Sequence, residues 1–218
     1  EKSRLTKSDV NRSAILAQLG ISGAANRTQL AKALQLSPAL VTQLTKNLIQ
    51  DGLIHESQIQ VASGGRPATL LDLSSDAGHA IGIKVVADHL TFVEMKVDGT
   101  VERTKTVTFD PSAASNLENL AEETRTFIGE MGNSDILGVG VAVPGAVFDS
   151  EVGEVNSITL GWQGMPIGST LSQSLGLPVI VENNVNAVAI AEHLYGSAKK
   201  YSNFLLVTLG TGIGLSIV

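Results

Sequence analysis

Three short stretches in the second half of the 218-residue sequence carry residue types suited to holding a polyhydroxylated ligand. They are Val143-Pro144-Gly145-Ala146, Val181-Glu182-Asn183-Asn184-Val185-Asn186-Ala187 and Leu209-Gly210-Thr211-Gly212-Ile213-Gly214. Glycines let backbone approach a ligand, and clustered Asn amides offer donors and acceptors matched to sugar hydroxyls. Each stretch follows a strand-like run, at residues 136–143, 179–182 and 204–209, and open α/β sheets bind ligands at the carboxyl ends of their strands. A glycine run such as 210–214 is by itself equally a turn, so the inference rests on the order and company of the three.

Residues 27–53, RTQLAKALQLSPALVTQLTKNLIQDGL, suggest a second kind of chemistry. Leu30, Ala31 and Leu34 share one face of a short helix that Arg27 and Thr28 open with a capping-type start, and Gln35-Leu36-Ser37 makes a turn. Ser37 suits an N-cap, with Pro38 at the first helical position, where a missing N–H costs nothing. Along the second helix Leu40, Val41, Leu44, Leu48 and Ile49 form a buried stripe. Thr42, Gln43, Thr45, Lys46 and Asn47 form its wet side, and Gly52 stops it. A helix-turn-helix DNA reader and an ordinary helical hairpin on a core fit these residues about equally. The following stretch favours the reader. Residues 53–56 and 68–73 read as strands around a loop holding Gly64-Gly65-Arg66-Pro67, a wing whose tip presents Arg66 to phosphate or a minor groove. On that reading Ser37, Ala39, Thr42, Gln43 and Lys46 face the major groove, Gln43 suited to adenine and Lys46 to phosphate.

The elements that must position these groups fall into two domains. Residues 11–19 read as a further helix, with Ile15, Leu16 and Leu19 inward and Gly20 as its stop, closing a three-helix winged domain over residues 1–73. Residues 74–78 are a polar junction. In the second domain, residues 79–218, strands are expected at 80–86, 90–97 and 101–109, the last two joined by Asp98-Gly99. A helix over 117–131 follows, then the nearly all-apolar strand 136–143, expected to be buried on both faces. Helices at 167–175 and 185–194 and strands at 179–182, 204–209 and 215–218 complete the pattern. A hairpin meander followed by alternating helices and strands means an α/β layer around a mixed sheet.

Composition narrows the choice of partners. The net charge is −6, but residues 1–72 hold eight basic and five acidic groups, and the remainder seven and sixteen. A basic front on an acidic body is expected if only the front meets nucleic acid, although an excess of this size also arises by chance. There is no cysteine, no signal peptide is visible, and no run of about 20 apolar residues predicts a membrane span, so a cytoplasmic protein is expected. His55, His79, His89 and His193 show no metal-site spacing.

With these residues in view, the sequence resembles the ROK family of sugar-responsive bacterial repressors and sugar kinases, built on the actin-like, ribonuclease-H-like ATPase fold. NRSAIL and the GLI and GGRP segments resemble the DNA-binding module of the repressor branch. LGVGVAVPGAV, LGW, PVIVENNVNAVAIAEHLYG and FLLVTLGTGIG resemble the first lobe. The resemblance implies that sugar sits against Gly145, Asn183 and Asn184, with Ala146 close by. It also brings out departures. Family kinases carry an Asp-x-Gly-Gly-Thr phosphate loop where this sequence reads Lys84-Val85-Val86-Ala87-Asp88, and their catalytic Asp falls on Asn184. An amide cannot take a proton at neutral pH, though it still hydrogen-bonds a hydroxyl. Phosphoryl transfer needs charge stabilisation and positioning together, so no catalytic residue is expected, and 210–212 is a structural turn. Family members continue into a second lobe, with a Glu-x-Gly-His segment and, in many, a Cys-rich zinc motif. This sequence stops at Val218, so a fragment is expected: a truncated second lobe, no cofactor or metal in this chain, and zinc only in a lobe beyond it.

The expectation is a DNA-binding regulator, a repressor, bound as a homodimer or dimer of dimers to palindromic double-stranded operator DNA and controlled by a sugar or sugar phosphate. Its rivals are a ROK-type sugar kinase with an appended DNA-binding domain, and a sugar-binding module whose helix-turn-helix serves only dimerisation.

Overall fold

A computed structural model describes residues 6–60, 68–132, 135–150, 152–210 and 212–218. Its contacts divide the chain into two units, residues 1–77 with 192–201 and residues 78–191 with 202–218.

The first unit contains α1 (Lys7–Ser22), α2 (Arg27–Leu34), α3 (Pro38–Gln50), β1 (Ile54–Gln60) and β2 (Ala68–Leu73). Helix α1 starts four residues earlier than the apolar pattern suggests. The Thr6 hydroxyl accepts from Asp9 N–H and the Asp9 carboxylate from Thr6 N–H, a reciprocal cap that fixes the entry. It also runs past Gly20 to Ser22, because Ile15 and Leu19 are already anchored in the core. The cap of α2 is Asn26, not Arg27 or Thr28: Asn26 Oδ1 accepts from Gln29 N–H, and Gln29 Oε1 from Asn26 N–H. A guanidinium has no acceptor, so Arg27 cannot serve there. Gln35 closes α2 in the left-handed conformation, φ 53°, and Ser37 caps α3 as its sequence implies, its hydroxyl 3.3 Å from Leu40 N.

Strands β1 and β2 pair antiparallel as a hairpin, and Ala25 adds a further rung by exchanging both backbone hydrogen bonds with Leu71. Ile15, Leu19, Leu30, Val41, Leu44, Leu48, Ile54 and Leu71 are buried together beneath this hairpin and the helices. The wing tip, with Arg66, lies outside the described residues.

In the second unit a five-stranded mixed sheet has the order β10-β6-β3-β4-β5. Its strands are β3 (His79–Val85), β4 (His89–Lys96), β5 (Val101–Thr108), β6 (Ile136–Val143) and β10 (Val179–Asn183). The β3-β4-β5 meander is antiparallel, while β6 runs parallel to both β3 and β10. Helices α4 (Asn116–Gly129) and α5 (Ile167–Leu175) pack on one face, where Phe92, Leu120, Phe127, Ile167 and Leu171 join Ile81, Ile83, Val139 and Val141.

Strand β6 is not buried on both faces. Val139, Val141 and Val143 point into the core, while Gly140 between them is exposed and Ile180, its partner on β10, is 57% exposed. Helices α4 and α5 cover the valine side. The sequence reading also missed a small antiparallel sheet of β7 (Ala146–Val147), β8 (Glu154–Ser157) and β9 (Trp162–Pro166), each too short to show a period. Helix α6 (Asn184–Leu194) and the separate hairpin β11 (Leu205–Leu209) and β12 (Ile213–Ile217) follow. Among the described residues, no helix is long and apolar enough to cross a membrane.

Candidate functional site

The residues singled out in the sequence fall into two groups. The first is the outer face of α3. Ser37, Ala39, Thr42, Gln43 and Lys46 are all exposed, while Val41, Leu44 and Leu48 are buried beneath them. The helical period alone places them so. The Thr42 hydroxyl donates to Pro38 O at 2.8 Å, which leaves its oxygen available as an acceptor.

Thr45 does not belong to the wet side: it is fully buried. Its hydroxyl donates to Val41 O at 2.8 Å and accepts from Arg27 Nε at 3.0 Å, and Arg27 Nη2 reaches Glu56 Oε1 at 3.2 Å. Arg27 thereby ties α2, α3 and β1 together. Arg12 of α1 pairs in the same way with Asp51, just beyond α3. The count of positive charge along residues 1–72 therefore overstates what is free for phosphate: Arg12 and Arg27 are spent on scaffolding, and Lys46 is the cation that α3 itself presents.

The second group gathers where the β6–β7 turn meets the end of β10. Gly145 has φ 130°, and a Cβ there would overlap Asn156 O and come within 2.9 Å of Ser157 Cα, so only glycine lets β8 lie this close. Gly145 O accepts from Asn183 Nδ2 at 2.7 Å, which brings these two residues together directly, with Ala146 next along the chain and exposed. The side-chain oxygen of Asn183 accepts from Val185 N at 2.8 Å and Asn186 N at 3.3 Å, capping α6. Asn183 thus holds the cradle's shape with its own amide. Asn184 is the first residue of α6, and among the described residues its side-chain amide makes no such internal bond.

Around it lie groups the sequence reading did not single out. Glu182 Oε1 accepts from Asn183 N at 2.7 Å and from Asn186 Nδ2 at 3.1 Å, and Asn186 Oδ1 accepts from Ser216 Oγ at 2.9 Å. The four-residue spacing of Glu182 and Asn186 was the available signal. Ser216 had none.

At residues 86–88 the chain makes the tight β3–β4 turn. Val86 N–H is spent on His89 O at 3.0 Å, and the Asp88 carboxylate lies 2.6 Å from His89 Nδ1. No cluster of three or more His, Cys, Asp or Glu able to hold a metal occurs among the described residues. A groove of about 520 Å³, lined by Arg125, Ile128, Ser174, Leu175 and Leu177, opens at the amino end of β6, the opposite end of that strand from Gly145.

Comparison with known proteins follows this division. Residues 80–218 match the ROK family model and residues 10–60 the MarR family model. The chain belongs to the ROK family. It is 30% identical over 208 residues to the xylose repressor of Caldicellulosiruptor bescii, an alignment covering 88% of this chain and 49% of that protein. The crystal structure of a ROK family transcriptional regulator, a homolog of the E. coli MLC protein, superimposes with a TM-score of 0.77 at 27% identity, covering 96% of this chain and 55% of that one. A ROK family glucokinase from Streptomyces griseus, in complex with glucose and AMPPNP, matches with a TM-score of 0.57 at 27% identity over 65% of this chain and 44% of its own. The chain spans about half the length of the curated relatives it matches. The winged-helix and actin-like sheet architecture expected from the sequence is what these matches support.

Proposed function

We propose that the protein is a DNA-binding transcriptional repressor of sugar-metabolism genes, without enzymatic activity, in which a sugar or sugar phosphate bound at the Gly145–Asn184 cradle controls operator binding. Residues 1–73 form the DNA-binding domain, 74–78 the junction and 79–218 the ROK-type sugar-binding domain. The observation that carries the reading is the outward face of α3, where Ser37, Ala39, Thr42, Gln43 and Lys46 stand exposed over a buried stripe. Gln43 reads a base edge, Lys46 meets phosphate, and Arg66, assigned from sequence alone, enters the minor groove beside them. Gly145, Ala146, Asn183 and Asn184 form the effector site, with Asn183 holding the cradle and Asn184 meeting a hydroxyl. The operator is a palindrome, read by a homodimer or dimer of dimers in the cytoplasm.

Exposed Ile180 on the sheet and the exposed Leu205, Leu209, Ile213 and Ile217 of the β11–β12 hairpin support a second lobe packing on these apolar surfaces. Any zinc or other cofactor belongs to that lobe.

Selection of bound DNA from a random library, with and without D-xylose, tests the reading. A palindromic sequence should emerge. Gln43→Ala should relax preference at one base pair per half-site by about 1–3 kcal/mol, and Lys46→Ala should weaken all sequences alike and lower the salt slope by about one. Absence of any retained DNA at low salt would leave the helix-turn-helix a dimerisation device.

The alternative is a sugar kinase carrying a DNA-binding domain, favoured by the likeness to the glucose-bound glucokinase. Against it stand the amide of Asn184 in place of a base and the closed β3–β4 turn. Coupled ATP consumption with a panel of hexoses decides: turnover lost on Asn184→Ala would establish the kinase.

A further inference from the structure

The β11–β12 hairpin is seated on the first turn of α6, where the effector amide stands, by two independent contacts. One is polar: buried Ser216 of β12 donates to Asn186 Oδ1, whose Nδ2 donates to Glu182 Oε1, so both ends of the Asn186 amide are fixed. The other is steric. A Cβ on Gly214 would come within 2.5 Å of both Val185 Cγ2 and Thr208 Oγ1, so this strand closes on α6 only because residue 214 has no side chain. The neighbours of Asn184 are therefore all held: Asn183 by Gly145, Val185 against Gly214, and Asn186 between Glu182 and Ser216.

We infer that Glu182, Asn186 and Ser216 are positioning residues for the effector site, and that through them occupancy of Asn184 is coupled to the seating of the β11–β12 hairpin. The inference rests on the effector site proposed above. A ligand hydrogen-bonded to Asn184 orders the first turn of α6, and that turn carries both hairpin contacts. By reciprocity, a loosened hairpin weakens the ligand. Gly214 thus contributes through its close approach to α6.

Calorimetric titration of the intact protein with D-xylose, and then with D-glucose, tests this, with hydrogen exchange of residues 205–217 measured with and without each sugar. Ser216→Ala should weaken binding about five- to tenfold, the weight of one hydrogen bond, and Ser216→Thr, which keeps the hydroxyl, should restore it. Asn186→Ala, at an exposed position, should do the same and add nothing in combination with Ser216→Ala, because both cut one chain. Sugar should protect hairpin amides in the parent and not in Asn186→Ala, and operator binding without sugar should be unchanged. Parent-like affinity in both alanine variants, or protection that persists without Asn186, would overturn the coupling while leaving the site intact. Failure of the parent itself to bind either sugar would instead remove the effector site, and this inference with it.

Discussion

The outer face of α3 and the turn around Gly145 and Asn183 solve opposite problems. On α3 the groups proposed to meet DNA stand outward on a scaffold that takes its rigidity from elsewhere: the buried Leu44 and Leu48, the Arg27–Thr45 bond and the Arg12–Asp51 pair. In the cradle the groups proposed to meet sugar are themselves the scaffold, since Asn183 caps α6 and grips Gly145 with the same side chain. A DNA surface reads a long, flat partner and profits from independent side chains. A small hydroxylated ligand requires a fixed constellation, so its residues are cross-linked. Substitutions should therefore separate cleanly on α3 and propagate in the cradle.

The largest effect tests the scaffold beneath the reader. Leu48→Ala opens a cavity in the first unit and should cost about 2–5 kcal/mol, lowering the denaturant midpoint of that unit and abolishing operator retention. A loss confined to the second unit would break the comparison. Next comes Gly145→Ala, which forces a Cβ into β8 at a positive φ; about 1–3 kcal/mol of strain should appear in urea unfolding together with loss of sugar binding, while DNA binding without sugar survives. Asn26→Ala removes the cap of α2 and should cost about 1 kcal/mol, read as a lowered thermal midpoint with no change in base preference. Gln35→Gly should go the other way. It relieves a left-handed φ at the corner between α2 and α3 and should stabilise by about 0.5 kcal/mol or slightly more, without touching the outward face.

The smallest effect is electrostatic. Hydrogen bonds from the Thr6 side chain and backbone hold the Asp9 carboxyl below its ordinary value, outweighing slight desolvation. Because the folded pKa is depressed, the cap's contribution is complete above the ordinary carboxylate value and is lost as pH falls through the lowered one. Protection of the amides at the start of α1, relative to their intrinsic exchange, should fall in that acid window, and Asp9→Asn should flatten the response.

Much of the first unit could be read directly. Ser37-Pro38 announces the start of α3, and its period separates Gln43 and Lys46 from Leu44 and Leu48, because capping and helical facing are local properties of neighbouring residues. The same local logic would have given Asn26 and Thr6 as caps, had the Asn-x-x-Gln and Thr-x-x-Asp spacings been used. The period also places Thr45 inward, four residues after Val41 and three before Leu48; its polar type alone argued for the wet side. Its partner could not be read locally: the hydroxyl accepts from Arg27, eighteen residues back.

The sequence by itself determined much of the punctuation and most of the helical facing, and it picked out Gly145, Asn183 and Asn184 by type and by the strand ends they follow. Only the tertiary structure decided which of their polar groups are already bonded. Whether an amide is free or spent depends on partners 30 to 38 residues away, as with Ser216 on Asn186 and Gly145 on Asn183. Whether an apolar strand such as β6 is covered on one face or two depends on which layers pack against it; the alternation of Val139, Val141 and Val143 with Gly138, Gly140 and Ala142 marks the inward face but not what meets the other.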